Sequence, residues 1–191
     1  MKCKNFFKTM TAAICAASLL MAGCGSDKAA DDTIKIGAIG EMTGGNASYG
    51  TSMMRGFKLA VKEINANGGV NGKKLVLVEA DTKSEPAEAA NAMSKLINQD
   101  KVPMVAGIFT SSSAIAACNI SETAKIPYLA IGATNPSVTV AKDGSTKPNT
   151  FRVCFIDPFQ GTVGANFVSN ELKAKTAALY IDNSSDYSKG L

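Results

Sequence analysis

The 191-residue chain contains no histidine. That absence removes serine–histidine nucleophilic catalysis, zinc sites of the His-Glu-x-x-His kind and histidine general bases from this segment. A phosphate-binding loop is missing as well. It would need a glycine, four residues and then Gly-Lys-Ser/Thr, but Gly72-Lys73 is followed by Lys74 and preceded at the required position by Asn67. A dinucleotide fingerprint fails on spacing. "IGAIGEMTGG" has Gly37 and Gly40 with no glycine between them at the needed position, and Asp81, the candidate ribose acid, lies about 40 residues on instead of ~20. The uncharged run Met10 to Ala22 falls short of the roughly 20 apolar residues that a permanent membrane helix requires. Cysteine is scarce beyond residue 24: only Cys118 and Cys154 remain, and their separation and flanks do not require a disulfide. Both are read as small core residues.

What is present begins with a leader. Lys2, Lys4 and Lys8 precede the uncharged run "MTAAICAASLLMA", the pattern of a secretory signal. "LLMAGC" resembles a bacterial lipobox, with Met21 where leucine is usual. The resemblance implies a signal peptide over residues 1–23, lipid attachment at Cys24 and a polar tether over 24–32. Removing the leader takes three lysines and no acid, so the formal charge of +4 falls to +1, with 17 basic against 16 acidic side chains. The basic balance belongs to the leader and gives no reason to expect nucleic acid.

From Thr33 the chain alternates strands and helices. "TIKIGAIG" turns wholly small and apolar, as a strand buried on both faces does. In the following helix Met54, Phe57, Val61 and Ile64 fall on one stripe, read as its core face, and Asn67-Gly68-Gly69 supplies a stop. "KLVLVEAD" and a helix with Pro86 in its first turn make a second unit. "KVPMVAGIF" and a helix from about Ser113 to Lys125 make a third, and "IPYLAIG" opens a fourth. This order predicts an α/β fold with a mostly parallel sheet and helices on both faces. Beyond "FRVCFIDP" come a helix over "PFQGTVGANFVSNELKAK", a strand over "TAALYID" and a last loop entering an unbuilt helix. The chain therefore reads as a fragment of a protein with a second lobe.

With catalysis unsupported, binding is left. In open parallel sheets ligands collect at the carboxyl ends of strands. Three such ends carry small polar groups: the first-strand loop with Tyr49, the third-strand end from Phe109 to Ser113, and Gly132-Ala133-Thr134 after the fourth. A helix beginning near Ser113 offers free N–H groups and the positive end of its dipole. One of Ser112 and Ser113 is expected to cap it, and the other hydroxyls of "SSS" complete a cradle for a carboxylate. Carbonyls at Gly132 and Ala133, with the Thr134 hydroxyl, face it as receptors for an ammonium group, although Thr134 alone also suits the turn before Pro136. Carboxylate and ammonium receptors side by side describe an α-amino acid.

"IKIGAIGEMTGGNASYG", "INANGGVNGKKLVLVEAD", "TSSSAIA", "IPYLAIGATNPSVT" and "FRVCFIDPFQG" resemble the branched-chain amino-acid-binding proteins of ABC importers, from Thr33 to the last residue. The resemblance implies the type I periplasmic-binding-protein fold: two doubly wound parallel-sheet lobes joined by a hinge, with the second lobe truncated here. The first lobe would cover 33–154, and 155–191 would be the crossover and the start of the second. It implies Ser111 on the ligand carboxylate, Gly132, Ala133 and Thr134 on its ammonium group, Tyr49 and Tyr187 flanking the cleft, and Phe109 lining the side-chain pocket. Gly132 stands where the family often has alanine. The implied partners are an amino-acid ligand, with leucine, isoleucine and valine favoured, a permease and ATPase complex, and the membrane through the lipid anchor. The location is extracytoplasmic, and neither enzymatic activity nor a cofactor or metal is implied. The alternatives are a sensory module of the same fold, or a receptor for another small amino acid or an amide such as urea.

Overall fold

The computed structural model describes residues 32–191. The expected leader, Cys24 and all but the last tether residue lie outside the described residues. β1 (Thr33–Gly40) ends in four buried residues, Gly37 to Gly40. It pairs along its whole length with β2 (Lys74–Asp81), from Thr33 opposite Lys74 to Gly40 opposite Asp81. Its other edge takes β3 (Val105–Gly107), followed by β4 (Tyr128–Ala130) and β5 (Thr150–Arg152). All pairings are parallel, in the order β2-β1-β3-β4-β5. The small apolar end of β1 follows from its place between two strands.

Three long helices connect these strands. α1 (Ala47–Ala66) packs on β1 and β2, whereas α2 (Pro86–Asn98) and α3 (Ser111–Ala124) pack on each other. The chain steps one way from β1 to β2 and the other way afterwards, so right-handed crossovers put α1 on one face and α2 with α3 on the opposite one. Ala89, Met93, Leu96 and Ile97 recur at helical spacing on α2, and join Ile39, Val105, Ile108 and Tyr128 in the main core. Each large apolar side chain removed from water there contributes about 1.5–3 kcal/mol. β1 and β3 approach so closely that a Cβ on Gly107 (φ +137) would lie 1.8 Å from the Ile39 carbonyl oxygen. Only glycine fits.

Two carboxylates tie loops to this frame. Asp81, the last residue of β2, accepts from the Met42, Thr43 and Lys83 amides at 2.9, 3.2 and 2.8 Å and from the Thr43 hydroxyl at 2.6 Å. Glu122 on α3 accepts from the Asn149 amide at 3.0 Å and the Thr150 hydroxyl at 2.6 Å, which fastens β5 at the sheet edge. Burial alone would raise the pKa of Asp81, but the Thr43 hydroxyl and the three amides outweigh it and hold the carboxyl below its ordinary value.

Several expectations are corrected. α3 begins at Ser111, two residues early, and its N-cap is Thr110. Neither Ser112 nor Ser113 caps it; all three serines lie in the first turn. The α1 stripe is core only in its first half: Met54 is buried, Phe57 and Val61 are half-buried and Ile64 is exposed. The helix after β5, α4 (Asp157–Asn166), ends before the expected Lys175 and passes into a π-turn over Phe167–Glu171. "TAALYID" forms no strand, and Tyr180 is fully exposed. An extended segment needs a neighbour to pair its N–H and C=O groups, and no described strand flanks this one. A short α5 (Asp186–Gly190) forms where an unbuilt helix was expected. Cys118 and Cys154 are both free thiols; Cys118 is buried but Cys154 only half so.

Because the folded pKa of Asp81 lies below the unfolded one, its stabilisation is complete above the ordinary carboxylate pKa and is lost as pH falls through the folded value. Urea midpoints measured on acidification are expected to fall across that range, and to fall less steeply in Asp81→Asn. Equal slopes would remove Asp81 from this role.

Candidate functional site

The direction of winding reverses between β1 and β3, and the crevice beyond their carboxyl ends is where an open α/β sheet receives ligands. Glu41, the residue after β1, sits in that crevice fully buried. Its carboxylate accepts from the Phe109 amide at 3.0 Å, the Thr110 amide at 3.0 Å and the Thr110 hydroxyl at 2.7 Å. Ile108 is held with φ +55 between β3 and these contacts, a left-handed conformation that a β-branched residue rarely adopts. Such strain costs on the order of 1–3 kcal/mol and marks places where the surroundings dictate the backbone. The ladder bond from the Ile108 amide to Ile39 and the pull of Glu41 on the next two amides supply that dictation.

Glu41 thus satisfies the two N–H groups before α3 and leaves its first turn open. The first intrahelical bond runs from the Ala114 amide to the Thr110 carbonyl. Among the described residues no acceptor takes the amides of Ser111, Ser112 or Ser113. Their N–H groups, with the helix dipole behind them, form an anion cradle. The Ser111 hydroxyl accepts from the Asn135 amide at 3.2 Å, so its own proton is free to donate.

A cleft of about 880 Å³ opens over this turn. Six of the seven expected ligand residues line it: Tyr49, Phe109, Ser111, Gly132, Thr134 and Tyr187. Ala133 does not. It is buried, and its carbonyl accepts from Arg152 Nη1 at 3.1 Å and Cys154 Sγ at 3.6 Å, which turns it toward β5. The Gly132 carbonyl has no protein donor among the described residues and stays available to a ligand cation. The rings of Tyr49 and Phe109 stack at 4.5 Å, 7° from parallel, as one apolar wall. A Cβ on Gly132 would lie 2.4 Å from Phe109 Cδ2, so the missing side chain is what lets the Phe109 ring lie there. Tyr187, on α5, accepts from Gln160 Nε2 at 2.9 Å through its hydroxyl.

Behind Thr134 lies Asp157, the first residue of α4, whose amide donates to the Thr134 carbonyl at 3.1 Å. Burial pushes the Asp157 carboxyl above its ordinary pKa, and the nearby Thr134 hydroxyl and Arg152 charge only partly oppose that. Neither of its oxygens accepts a hydrogen bond of regular geometry. Sequence reasoning missed Glu41, Asn135 and Asp157. An acid directly after an all-buried strand, as in "IGAIGEM", was the available signal for Glu41.

Residues 33–190 match the periplasmic binding protein family. An amino acid binding protein of Pseudomonas aeruginosa is 38% identical over 188 residues, 98% of this chain and 48% of that protein. The crystal structure of the branched-chain amino acid transporter substrate binding protein LivJ from Streptococcus pneumoniae, in complex with isoleucine, superposes with a TM-score of 0.77. It is 44% identical, across 83% of this chain and 44% of that one. The leucine binding protein LivK from Thermotoga maritima gives a TM-score of 0.75 at 37% identity, across 82% of this chain and 43% of its own. The chain belongs to the periplasmic binding protein family and has the type I α/β fold. It spans about half the length of the relatives it matches.

Gly132→Ala is expected to displace the Phe109 ring and destabilise the fold by about 1–3 kcal/mol, the usual cost of overpacking. Chemical denaturation measures the loss, and near-ultraviolet circular dichroism follows the aromatic pair. Glu41→Gln exchanges a charged acceptor for an amide facing two N–H donors, and is expected to cost roughly 1.5–3 kcal/mol in the same assay.

Proposed function

We propose that the chain forms the first ligand-binding lobe, residues 33–154, and the opening of the second, 155–191, of an extracytoplasmic receptor that captures an amino acid for an ABC importer. The observation that carries this reading is the convergence on one cleft of three unclaimed serine amides, the Ser111 hydroxyl and an unoccupied Gly132 carbonyl. The amides and hydroxyl suit a carboxylate; the carbonyl and Thr134 suit an ammonium group. The stacked wall of Tyr49 and Phe109 beside them suits an aliphatic side chain, so leucine, isoleucine and valine are the expected ligands. Isoleucine in the LivJ structure supports that choice. Tyr187 closes over the ligand from the other side, and closure shifts the population toward a state in which both lobes touch it. Cys24 carries the lipid that keeps the receptor at the membrane surface, next to the permease and its ATPase.

Isothermal titration against the twenty amino acids, urea and short amides tests the reading. Binding confined to aliphatic amino acids is expected, and Ser111→Ala should weaken it by about 1–3 kcal/mol, roughly 5- to 150-fold, because a charged acceptor loses a donor. Unchanged affinity would remove Ser111 from the carboxylate site. Binding of urea alone would replace the ligand class.

A further inference from the structure

Two hydrogen bonds to the backbone of Asp186 hold α5 against the residues after β4 and the first turn of α3. The Asp186 carbonyl accepts from Asn135 Nδ2 at 2.6 Å, and the Asp186 amide donates to Ser112 Oγ at 3.1 Å. On its other side, Asn135 Oδ1 accepts from the Ser137 amide at 2.9 Å and caps the short turn Pro136–Val138. In this arrangement its Nδ2 faces α5. The same pocket contains the buried Asp157 carboxylate. A Cβ on Gly190 would lie 2.2 Å from Asp157 Oδ2 and 2.8 Å from Asn135 Nδ2, so amide, carboxylate and the bare Gly190 backbone crowd together. Asp157 carries the one buried side chain among the described residues whose oxygens accept no hydrogen bond of regular geometry.

We propose that Asn135 is a positioning residue that latches α5, and with it Tyr187, over the cleft, and that the Asp157 carboxylate is the competing acceptor for the same amide when α5 moves away. In the docked arrangement the amide serves the Asp186 carbonyl and leaves the buried Asp157 carboxylate without a hydrogen bond of regular geometry. In the undocked one it turns to that charge and releases α5. The exchange trades one hydrogen bond for another, which keeps the two arrangements close in free energy and lets a ligand touching both sides tip the balance. Ser112 is the second half of the latch, so the three serines divide their work: Ser111 faces the ligand and Ser112 holds α5.

Hydrogen–deuterium exchange on the ligand-free chain reads the latch directly. Asn135→Asp keeps the acceptor for Ser137 but sets a carboxylate against the Asp186 carbonyl and beside Asp157. Exchange across residues 186–191 should quicken by about three- to ten-fold, the range of one hydrogen bond, while α3 stays as protected as before. Ser112→Ala, which removes the hydroxyl that serves the Asp186 amide and carboxyl, should act in the same direction and serves if Asn135→Asp fails to fold. Asp157→Asn removes the competing charge and should slow exchange in the same segment. A purely structural Asp157 would give the opposite sign, because its loss would loosen the segment. Unchanged exchange in both latch variants, or faster exchange in Asp157→Asn, overturns the proposal. The role of the latch in retaining a ligand rests on the amino-acid reading, but this experiment contains no ligand, so either can fail without the other.

Discussion

The buried Glu41 carboxylate is the tie on which the cleft depends. It joins the end of β1 to the start of α3 across the point where the sheet reverses its direction of winding. A buried carboxylate is costly unless its oxygens are satisfied, and three donors from Phe109 and Thr110 do so here. The same contacts decide where α3 begins, hold Ile108 in its strained conformation and leave the serine amides facing open space. One interaction therefore determines both which donors are consumed by the fold and which are left for a ligand.

Other acids repeat this use of charge at smaller stakes. Asp81 collects the loop after β1, and so sets where α1 and Tyr49 start; Glu122 holds β5 in place. Each works through backbone amides and neighbouring hydroxyls, and none of their hydrogen bonds runs to a basic side chain. Asp157 differs from them all, because its buried carboxylate accepts no hydrogen bond of regular geometry. A fold that satisfies Glu41, Asp81 and Glu122 so fully, and Asp157 so little, puts its electrostatic tension where α5 docks.

Much of the fold was legible in the order of the residues. The doubly apolar end of β1, Pro86 in the first turn of α2 and the Gly68-Gly69 stop all follow from local rules of burial, helix initiation and helix termination. Six of the seven candidate ligand residues, proposed from strand ends and resemblance, line one cleft, because a strand end is a position along the chain. Ala133 failed for a reason no local rule carries: Arg152, nineteen residues away, takes its carbonyl. The strand expected over "TAALYID" failed similarly, since a strand is completed by its neighbours and not by its own pattern.

The sequence by itself determined the alternation of strands and helices, the exclusion of histidine chemistry and the clustering of small polar residues at three strand ends. These are properties of composition and spacing, readable one segment at a time. Only the tertiary structure decided which groups are spent and which are spare. It placed Glu41 on the amides before α3, turned the Ala133 carbonyl away, and brought Asn135, Asp157 and Gly190 into one pocket. The physical reason is that a hydrogen-bonding group is free or satisfied according to partners up to seventy-four residues distant, as between Ser112 and Asp186. Only the folded chain brings such partners within reach.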